Sequence, residues 1–245
     1  MSNFELRHKF PYSLSGRTLK KMLPGALLAL LATPTLAAEP QQGNALTLGG
    51  GVDVTPLYSG SDENRVTTAL LLDYSMHNGF FVSTTRGIGY GNSTGKLDYS
   101  TALSYRAGRK DHDVDSDSLS DGSDDLRGMG DVKGSAIGAL GLGYKVTDWL
   151  HLQLQAEVPF SQRDNGAAVH FGIISPLYNS SENTVTMALT SSWGTGNYMQ
   201  TYYGVSSSQS AASGFSQYDA GSGIYAVNTD RILTHPAKVK LTHPL

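Results

Sequence analysis

The sequence predicts an all-β protein, and more specifically an antiparallel transmembrane β-barrel of the outer-membrane type. Three observations lead to this prediction: an N-terminal export segment, a recurring alternation of apolar with polar or small residues, and a low content of charge. Only 16% of the 245 residues are charged, whereas roughly a quarter is usual for globular domains. Cys is absent, which excludes disulfides, thiolate metal sites and an N-terminal lipid-anchored cysteine.

Residues 1–37 are predicted to form a signal peptide. A Lys-Lys pair precedes a run of about 16 mostly apolar residues, and Thr35 and Ala37 occupy the small-residue positions of a cleavage site. This run is shorter than the roughly 20 apolar residues that a membrane-spanning helix needs. A buried core helix is the alternative. We therefore expect an exported protein that is cleaved after Ala37 or Ala38.

The charge balance of the exported part argues against nucleic-acid binding. Without its first 38 residues the chain has 13 basic and 20 acidic residues, a net charge of about −7. Proteins that bind nucleic acid need a basic stripe that neutralises phosphates. We expect no nucleic-acid partner.

Strands are predicted wherever apolar residues alternate with polar or small ones. Along 97–106, for example, Leu97, Tyr99 and Leu103 alternate with Asp98, Ser100 and Ser104. Clear runs cover residues 45–55, 66–75, 97–106 and 150–158, and noisier runs cover roughly residues 79–90, 132–146, 167–174 and 183–193. We expect about eight or nine strands from this pattern, with one apolar face and one polar face.

The composition of the polar face favours a membrane barrel over an exported soluble sandwich, which is the alternative. The polar positions carry Thr, Ser, Gly, Gln and Asp rather than many Lys and Glu, which is typical of a barrel lumen. Aromatic residues flank the runs, as interfacial girdles do. They are Tyr58, Tyr74, Tyr90, Tyr105, Tyr144, Trp149, Tyr178, Trp193 and Tyr203.

Turn lengths predict which end of the barrel faces outwards. The MHNG turn at 76–79 is short, as periplasmic hairpin turns are, whereas residues 107–131 form a long polar loop that we expect outside the cell.

Two groups of residues have side chains that could carry chemistry. Asp113, Asp115 and Asp117 have the spacing that opens a calcium loop, but Ser118 replaces the required Gly and no closing Glu follows, so a solvated loop is the better interpretation. His151 and His170 are predicted to face the lumen.

No sequence motif fixes a serine beside a histidine and an acid, and no GxSxG elbow occurs. We expect lumen residues to be interior packing that leaves no large open channel; they include Arg106, His151, Gln153, Gln155 and Glu157. The sequence predicts no catalytic residue, no metal ligand, no cofactor site and no enzymatic activity.

Four segments together resemble the MipA/OmpV family of outer-membrane proteins. They are GGGVDVTPLYSGSDENRV at 49–66, the DY and NGFF of 73–81 with GIGYG at 87–91, DLRGMGDV at 125–132, and YMQTYYGVSSSQSAASGFSQYDAGSGI at 198–224. The last is the most specific. The resemblance covers roughly residues 44–227.

The resemblance implies a Gram-negative outer-membrane barrel of roughly 10–12 strands that acts as a scaffold or surface protein of the cell envelope. Its implied role in peptidoglycan biosynthesis is to bring a lytic transglycosylase together with a murein synthase, in contact with outer-membrane lipid and lipopolysaccharide. An adhesin and a narrow solute channel are alternatives, and a lipid-acting barrel enzyme is a third.

The end of the chain departs from the family pattern. We expect an incomplete barrel at 38–228, with the family's last strands missing, followed by an atypical and possibly frameshifted tail at 229–245. Pro236 and Pro244 cannot donate ladder hydrogen bonds, and an open barrel would leave unpaired edges in hydrocarbon. A natural periplasmic extension is the alternative.

Overall fold

The structure is a computed structural model of the chain, and it describes residues 44–59, 61, 63–114, 120–180 and 183–234. The predicted signal peptide, residues 115–119 of the acidic segment and residues 235–245 of the predicted tail lie outside the described residues. The described part is all-β with few helices, and its ten-stranded sheet is antiparallel, as predicted.

The alternating sequence pattern accounts for most of the strands. In chain order they are β1 (Ala45–Pro56), β2 (Asn64–Ser75), β3 (Phe80–Ser83), β4 (Gly87–Thr94), β5 (Leu97–Arg106), β6 (Arg109–Lys110), β7 (Asp121–Gly122), β8 (Ser135–Thr147), β9 (Leu150–Pro159), β10 (Ala168–Asn179), β11 (Thr184–Gly194) and β12 (Gly223–Thr234). The two short strands β6 and β7 pair with each other inside a loop. The other ten form one sheet.

The ten-stranded sheet is a meander, because each of its strands pairs with the strand of the same sheet that follows it along the chain. The described parts of β1 and β12 are its two edges, and they do not pair with each other. The predicted antiparallel sheet is therefore confirmed, while closure into a barrel is not seen in the described residues.

The two ends of the sheet differ. At one end, which we call the short-turn end, the strands are joined by residues 76–79, 95–96, 148–149 and 180–183. Gly95 has φ +63°, a conformation that glycine adopts without a Cβ penalty and that suits its two-residue turn. At the other end, the loop end, most connections are longer, including residues 107–134 and 195–222. The predicted contrast between the turn at 76–79 and the loop at 107–131 is thus confirmed.

The two faces of the sheet have opposite character. Large apolar side chains on the outer face are exposed: Leu70 is 72% exposed, Leu48 66% and Leu103 63%. Most inner positions carry small or polar side chains, such as the almost fully buried Ser135 and Ala168, and a few carry large apolar ones, such as Phe81 and Ile137. This arrangement is the inverse of a soluble sandwich, in which the apolar face would be covered.

Two short helices and two 3-10 turns occupy the loop end. Helix α1 is Gly196–Tyr203, helix α2 is Ser207–Ser213, and the 3-10 turns are Asp124–Leu126 and Arg163–Asn165. Among the described residues, no helix is long and apolar enough to cross a membrane.

Three details depart from the simple strand pattern. The run at 79–90 is divided into β3 and β4 by a turn in which the Thr84 hydroxyl donates to Leu70 O and accepts from Leu72 N. Most of 198–224, where the alternation predicted no strand, is helical or irregular. Strand β12 continues through Thr234 and so includes the first residues of the segment predicted as a tail.

Candidate functional site

The inner face of the sheet curls around a cavity of about 950 Å³, which we call the lumen. All ten strands of the sheet contribute to its lining, from Pro56 on β1 to Asp230 on β12. The lining extends from Met76 at the short-turn end to Tyr203 of α1 at the loop end. Because the inner face carries Ser, Thr, Gln and charged residues, the lumen offers many hydrogen-bonding groups.

A polar network links side chains of four strands, β5, β9, β10 and β11, near the loop end of the lumen. Arg106 on β5 donates to Glu157 Oε2 on β9 through Nε and Nη2, at 3.3 and 3.0 Å, and its Nη1 donates to Gly166 O at 2.8 Å. Glu157 Oε1 lies 3.6 Å from His170 Nε2 on β10. His170 Nδ1 lies 2.9 Å from Ser192 Oγ on β11. One carboxylate therefore contacts a guanidinium with one oxygen and an imidazole with the other.

This network contains a grouping that the sequence did not reveal. We expected no serine to be fixed near a histidine and an acid, yet the sheet brings Ser192, His170 and Glu157 together from positions 13 to 35 residues apart. Cross-strand register explains it, because Ser192 lies directly opposite His170 on the next strand. Sequence spacing carries no such register information.

A second ion pair lies in the lumen at the β2–β3 hairpin. Arg86 donates to both carboxylate oxygens of Asp73, through Nε at 3.0 Å and Nη2 at 2.6 to 2.8 Å, and Nη2 also donates to Ser75 Oγ at 3.2 Å. The guanidinium stacks over Phe81, 3.9 Å from the ring centre. These contacts fix the side chains of the shortest hairpin in the wall.

An aromatic cluster lies at the loop end of the lumen. Tyr198 of α1 stacks on Tyr225 of β12 with ring centres 4.8 Å apart, and it contacts Tyr202 at 4.7 Å. Tyr203 lies 5.7 Å from Tyr225 and donates through its hydroxyl to Ser59 Oγ at 3.2 Å. Burial raises the pKa of Tyr198 well above its usual range. Tyr203 thus belongs to this cluster and not to an outer girdle, because it lies on a helix rather than a strand end.

Helices α1 and α2 have local sequence signals. The Thr195 hydroxyl accepts from Tyr198 N and begins α1. Ser206 and Gln209 form a capping box at the start of α2, since Gln209 N donates to Ser206 Oγ and Ser206 N donates to Gln209 Oε1. The S-x-x-Q spacing at 206–209 was the signal that could have predicted this helix.

The long loop at 107–134 packs against these helices. Arg109 donates through Nη1 to Tyr202 O at 3.1 Å, and Gln209 donates through Nε2 to Met129 O at 2.7 Å. A second cavity of about 450 Å³ lies between the loop and α1, lined by residues that include Arg109, Leu126 and Tyr202. The two loops therefore form one cap over the lumen.

The acidic residues of the long loop form hydrogen bonds and an ion pair with other residues of the same loop. Asp111 Oδ2 accepts from the backbone N–H groups of Gly128 and Gly130, and Lys110 donates to Asp131 at 2.6 Å. A hydrogen bond from His112 and these backbone donors hold the pKa of Asp111 below its usual value. Asp111, His112 and Asp131 lie close enough to share a cation, but their oxygens already accept hydrogen bonds within the loop.

The predicted calcium-like segment is only partly described. Asp113 accepts from Asp124 N at 2.9 Å, and Asp124 accepts from Asp113 N at 3.1 Å, whereas Asp115 and Asp117 lie outside the described residues. Four of the residues predicted to face the lumen, Gln153, Gln155, Glu157 and His170, line the cavity. His151 does not line it, and Arg106 lines the second cavity instead.

Comparison with known proteins assigns the chain to a family. The family model described as MltA-interacting protein MipA matches residues 48–238, which is more than half of the chain. Neither the curated proteins nor the solved structures gave a match. The matched region includes the lumen network, both helices and every strand of the sheet apart from the first three residues of β1, and the chain therefore belongs to the MipA family.

Proposed function

We propose that this chain is an outer-membrane β-barrel that serves as a scaffold for murein-synthesising and murein-hydrolysing enzymes. One observation carries the membrane part of the proposal: exposed large apolar side chains lie on all ten strands of the sheet, and the opposite face lines a cavity that contains many polar groups. A soluble monomer rarely exposes a large contiguous apolar surface, whereas a barrel in lipid requires one.

The spacing of outer aromatic residues fits a bilayer. Tyr144 lies opposite Leu97 near the short-turn end, and Tyr105, eight residues further along β5, lies near the loop end. Eight residues span about 26 Å along a strand, or about 20 Å across a membrane at the usual tilt, close to the apolar band of roughly 25 Å in such barrels. Trp149 and Tyr178 at the short-turn end, and Phe160 and Trp193 at the loop end, are also exposed.

Membrane insertion requires partners for both sheet edges. Each unpaired backbone group in hydrocarbon costs several kcal/mol. We therefore propose that the backbone groups at the edges of β1 and β12 are hydrogen-bonded in the membrane, so that the barrel has no open edge there. Outer-membrane lipid would contact the apolar belt and lipopolysaccharide the rim at the loop end.

The short-turn end is the surface that we assign to murein enzymes. The family is named for an interaction with MltA, which supports a lytic transglycosylase as one partner. We propose a murein synthase as a second partner. Residues 44 and 234 both lie at the short-turn end together with the four short turns, as expected for a periplasmic side. Exposed charges there include Lys96 and Asp148.

The localisation is tested by outer-membrane fractionation with a heat-modifiability gel. The chain is run beside a version in which the residues after Thr234 are replaced by the terminal strands of another MipA family member. We expect an outer-membrane band that shifts on heating in at least the second version. A protein that remains in the periplasm in both versions would overturn the membrane proposal.

The scaffold role is tested by capture of a purified lytic transglycosylase and a purified murein synthase on the detergent-solubilised chain. We expect Lys96→Glu and Asp148→Lys, at the short-turn end, to weaken capture. Arg163→Glu, at the loop end, is the matched control and should leave capture unchanged. Equal capture by all variants would contradict the assignment of the binding surface to the short-turn end. The absence of capture by the unaltered chain would contradict the scaffold role.

A further inference from the structure

The structure places a nucleophile, a base and an acid in contact inside the lumen. Ser192 Oγ lies 2.9 Å from His170 Nδ1, which is hydrogen-bond distance, and His170 Nε2 lies 3.6 Å from Glu157 Oε1. All three residues line the lumen. A hydroxyl, an imidazole that can take its proton, and a carboxylate that orients the imidazole are the parts of a nucleophilic serine site.

Arg106 directs the carboxylate towards the histidine. Both of its donors to Glu157 contact Oε2, which leaves Oε1 to face His170. Arg106 is held in turn by its bond to Gly166 O at 2.8 Å. The orientation of His170 is further limited by the edge of Tyr225, with ring centres 6.5 Å apart.

We propose that Ser192, His170 and Glu157 form a hydrolytic site for small acyl esters. This inference runs against our sequence-based expectation of no enzymatic activity, which rested on finding no serine near a histidine and an acid. It adds an activity to the scaffold role and does not depend on it.

The reaction needs only groups that line the lumen and water. His170 Nδ1 takes the proton of Ser192 as Oγ attacks the ester carbonyl carbon, and the same proton is then given to the leaving alkoxide. Acyl-Ser192 is hydrolysed when His170 takes a proton from water and returns it to Oγ, which releases the carboxylic acid. Glu157 stabilises the imidazolium through Nε2, and the Gln155 side chain, opposite His170 in register, supplies an N–H donor for the oxyanion.

The cavity limits the substrate class. The lumen holds about 950 Å³ and is lined by both polar and apolar side chains, but the lining residues beside Ser192 are polar: Gln155, Glu157, His170 and Thr190. A long acyl chain on Ser192 would cover these polar groups, which is unfavourable. The site therefore suits a short acyl group on a polar alcohol.

Covalent labelling tests the proposal on the full chain folded in detergent, with folding verified by the heat shift. The probe is diisopropyl fluorophosphate, and the labelled residue is identified by peptide mass spectrometry on the unaltered protein. We expect the adduct on Ser192, with no adduct there in Ser192→Ala and a labelling rate at least about 100-fold lower in His170→Gln. The neighbouring Ser191→Ala is the control and should label normally.

Hydrolysis of p-nitrophenyl acetate tests whether Glu157 positions His170 for catalysis or has only a structural role. As a positioning residue, Glu157 should affect kcat: we expect Glu157→Gln to lower kcat with KM unchanged, and Glu157→Asp to restore part of it. No adduct on Ser192, or equal labelling in His170→Gln and the unaltered chain, would overturn the proposal, and both results can be obtained without any variant of Ser192.

Discussion

At the scale of single residues, the ion pairs of the lumen are shielded from water and geometrically matched. The side chains of Arg106 and Glu157 are 13% and 20% exposed, and two donors of Arg106 share one carboxylate oxygen. Removing one partner of such a pair leaves a poorly solvated charge, which costs more than the net value of the pair. The lumen network should therefore be sensitive to single substitutions and tolerant of a paired one.

Unfolding measurements on Arg106 and Glu157 variants check this expectation. We expect Arg106→Met and Glu157→Leu each to lower the free energy of unfolding by about 3 kcal/mol, and the double variant to lose less than the sum. Urea titration followed by the fluorescence of Trp149 and Trp193 measures it. Arg163→Met, at an exposed position, is the control. Strictly additive losses would show that the two side chains do not interact.

At the scale of elements, the cap depends on close backbone contact between the long loop and α2. Gly128 has φ +89°, and a Cβ there would lie 2.7 Å from the backbone carbon of Ala212. Gly130 has a similar φ of +74°, but a Cβ there would meet nothing within 4 Å. The two glycines therefore share backbone strain and differ in packing.

Comparing alanine substitutions at Gly128 and Gly130 measures the packing of the long loop against α2 separately from the backbone strain. Both should cost about 1–2 kcal/mol because of their positive φ, and Gly128→Ala should cost more because the loop must move away from α2. We expect faster proteolytic cleavage within 107–134 in Gly128→Ala than in Gly130→Ala. Equal cleavage would indicate that the loop does not pack on α2 in solution.

Acid should release part of the same loop. The pKa of Asp111 lies below its usual value because its charged form accepts hydrogen bonds from His112 and from the N–H groups of Gly128 and Gly130. The stabilisation is therefore fully present above the unfolded value, about 3.9, and is lost as the pH falls through the lowered pKa. NMR shifts of the Gly128 and Gly130 amides should titrate with a midpoint below 3.9. Asp111→Asn should abolish the titration, and a midpoint at or above 3.9 would contradict the assigned bonds.

At the scale of the whole molecule, the apolar outer face of the sheet determines whether the fold is stable in a lipid bilayer or in water. Leu140 lies midway along β8 and is 57% exposed, whereas Leu97 begins β5 beside a turn and is 43% exposed. In a bilayer, an outward arginine costs about 2–4 kcal/mol at the midplane and about 0–1 near the interface. In water, neither change would cost much.

Refolding into liposomes measures this difference. We expect Leu140→Arg to lower the free energy of unfolding in the liposome by several times as much as Leu97→Arg. A small and equal effect of both substitutions would place the outer face in water and would contradict the membrane proposal.

Much of the fold could be predicted from local sequence pattern. Alternation along 97–106 and 150–158 predicted β5 and β9 because side chains on a strand point to opposite faces with a period of two. The division of 79–90 and the helices within 198–224 were missed, since Thr84 and the capping residues act through single hydrogen bonds that a periodicity does not show.

The sequence by itself determined the class of the protein: strands with an apolar and a polar face, a long acidic loop, and motifs of the MipA family that the family match confirms. Tertiary structure alone decided which residues meet. Ser192, His170 and Glu157 are neighbours only because β9, β10 and β11 pair in a particular register. Register depends on the whole hydrogen-bonded ladder and on the turns that join it, so no short stretch of sequence contains it.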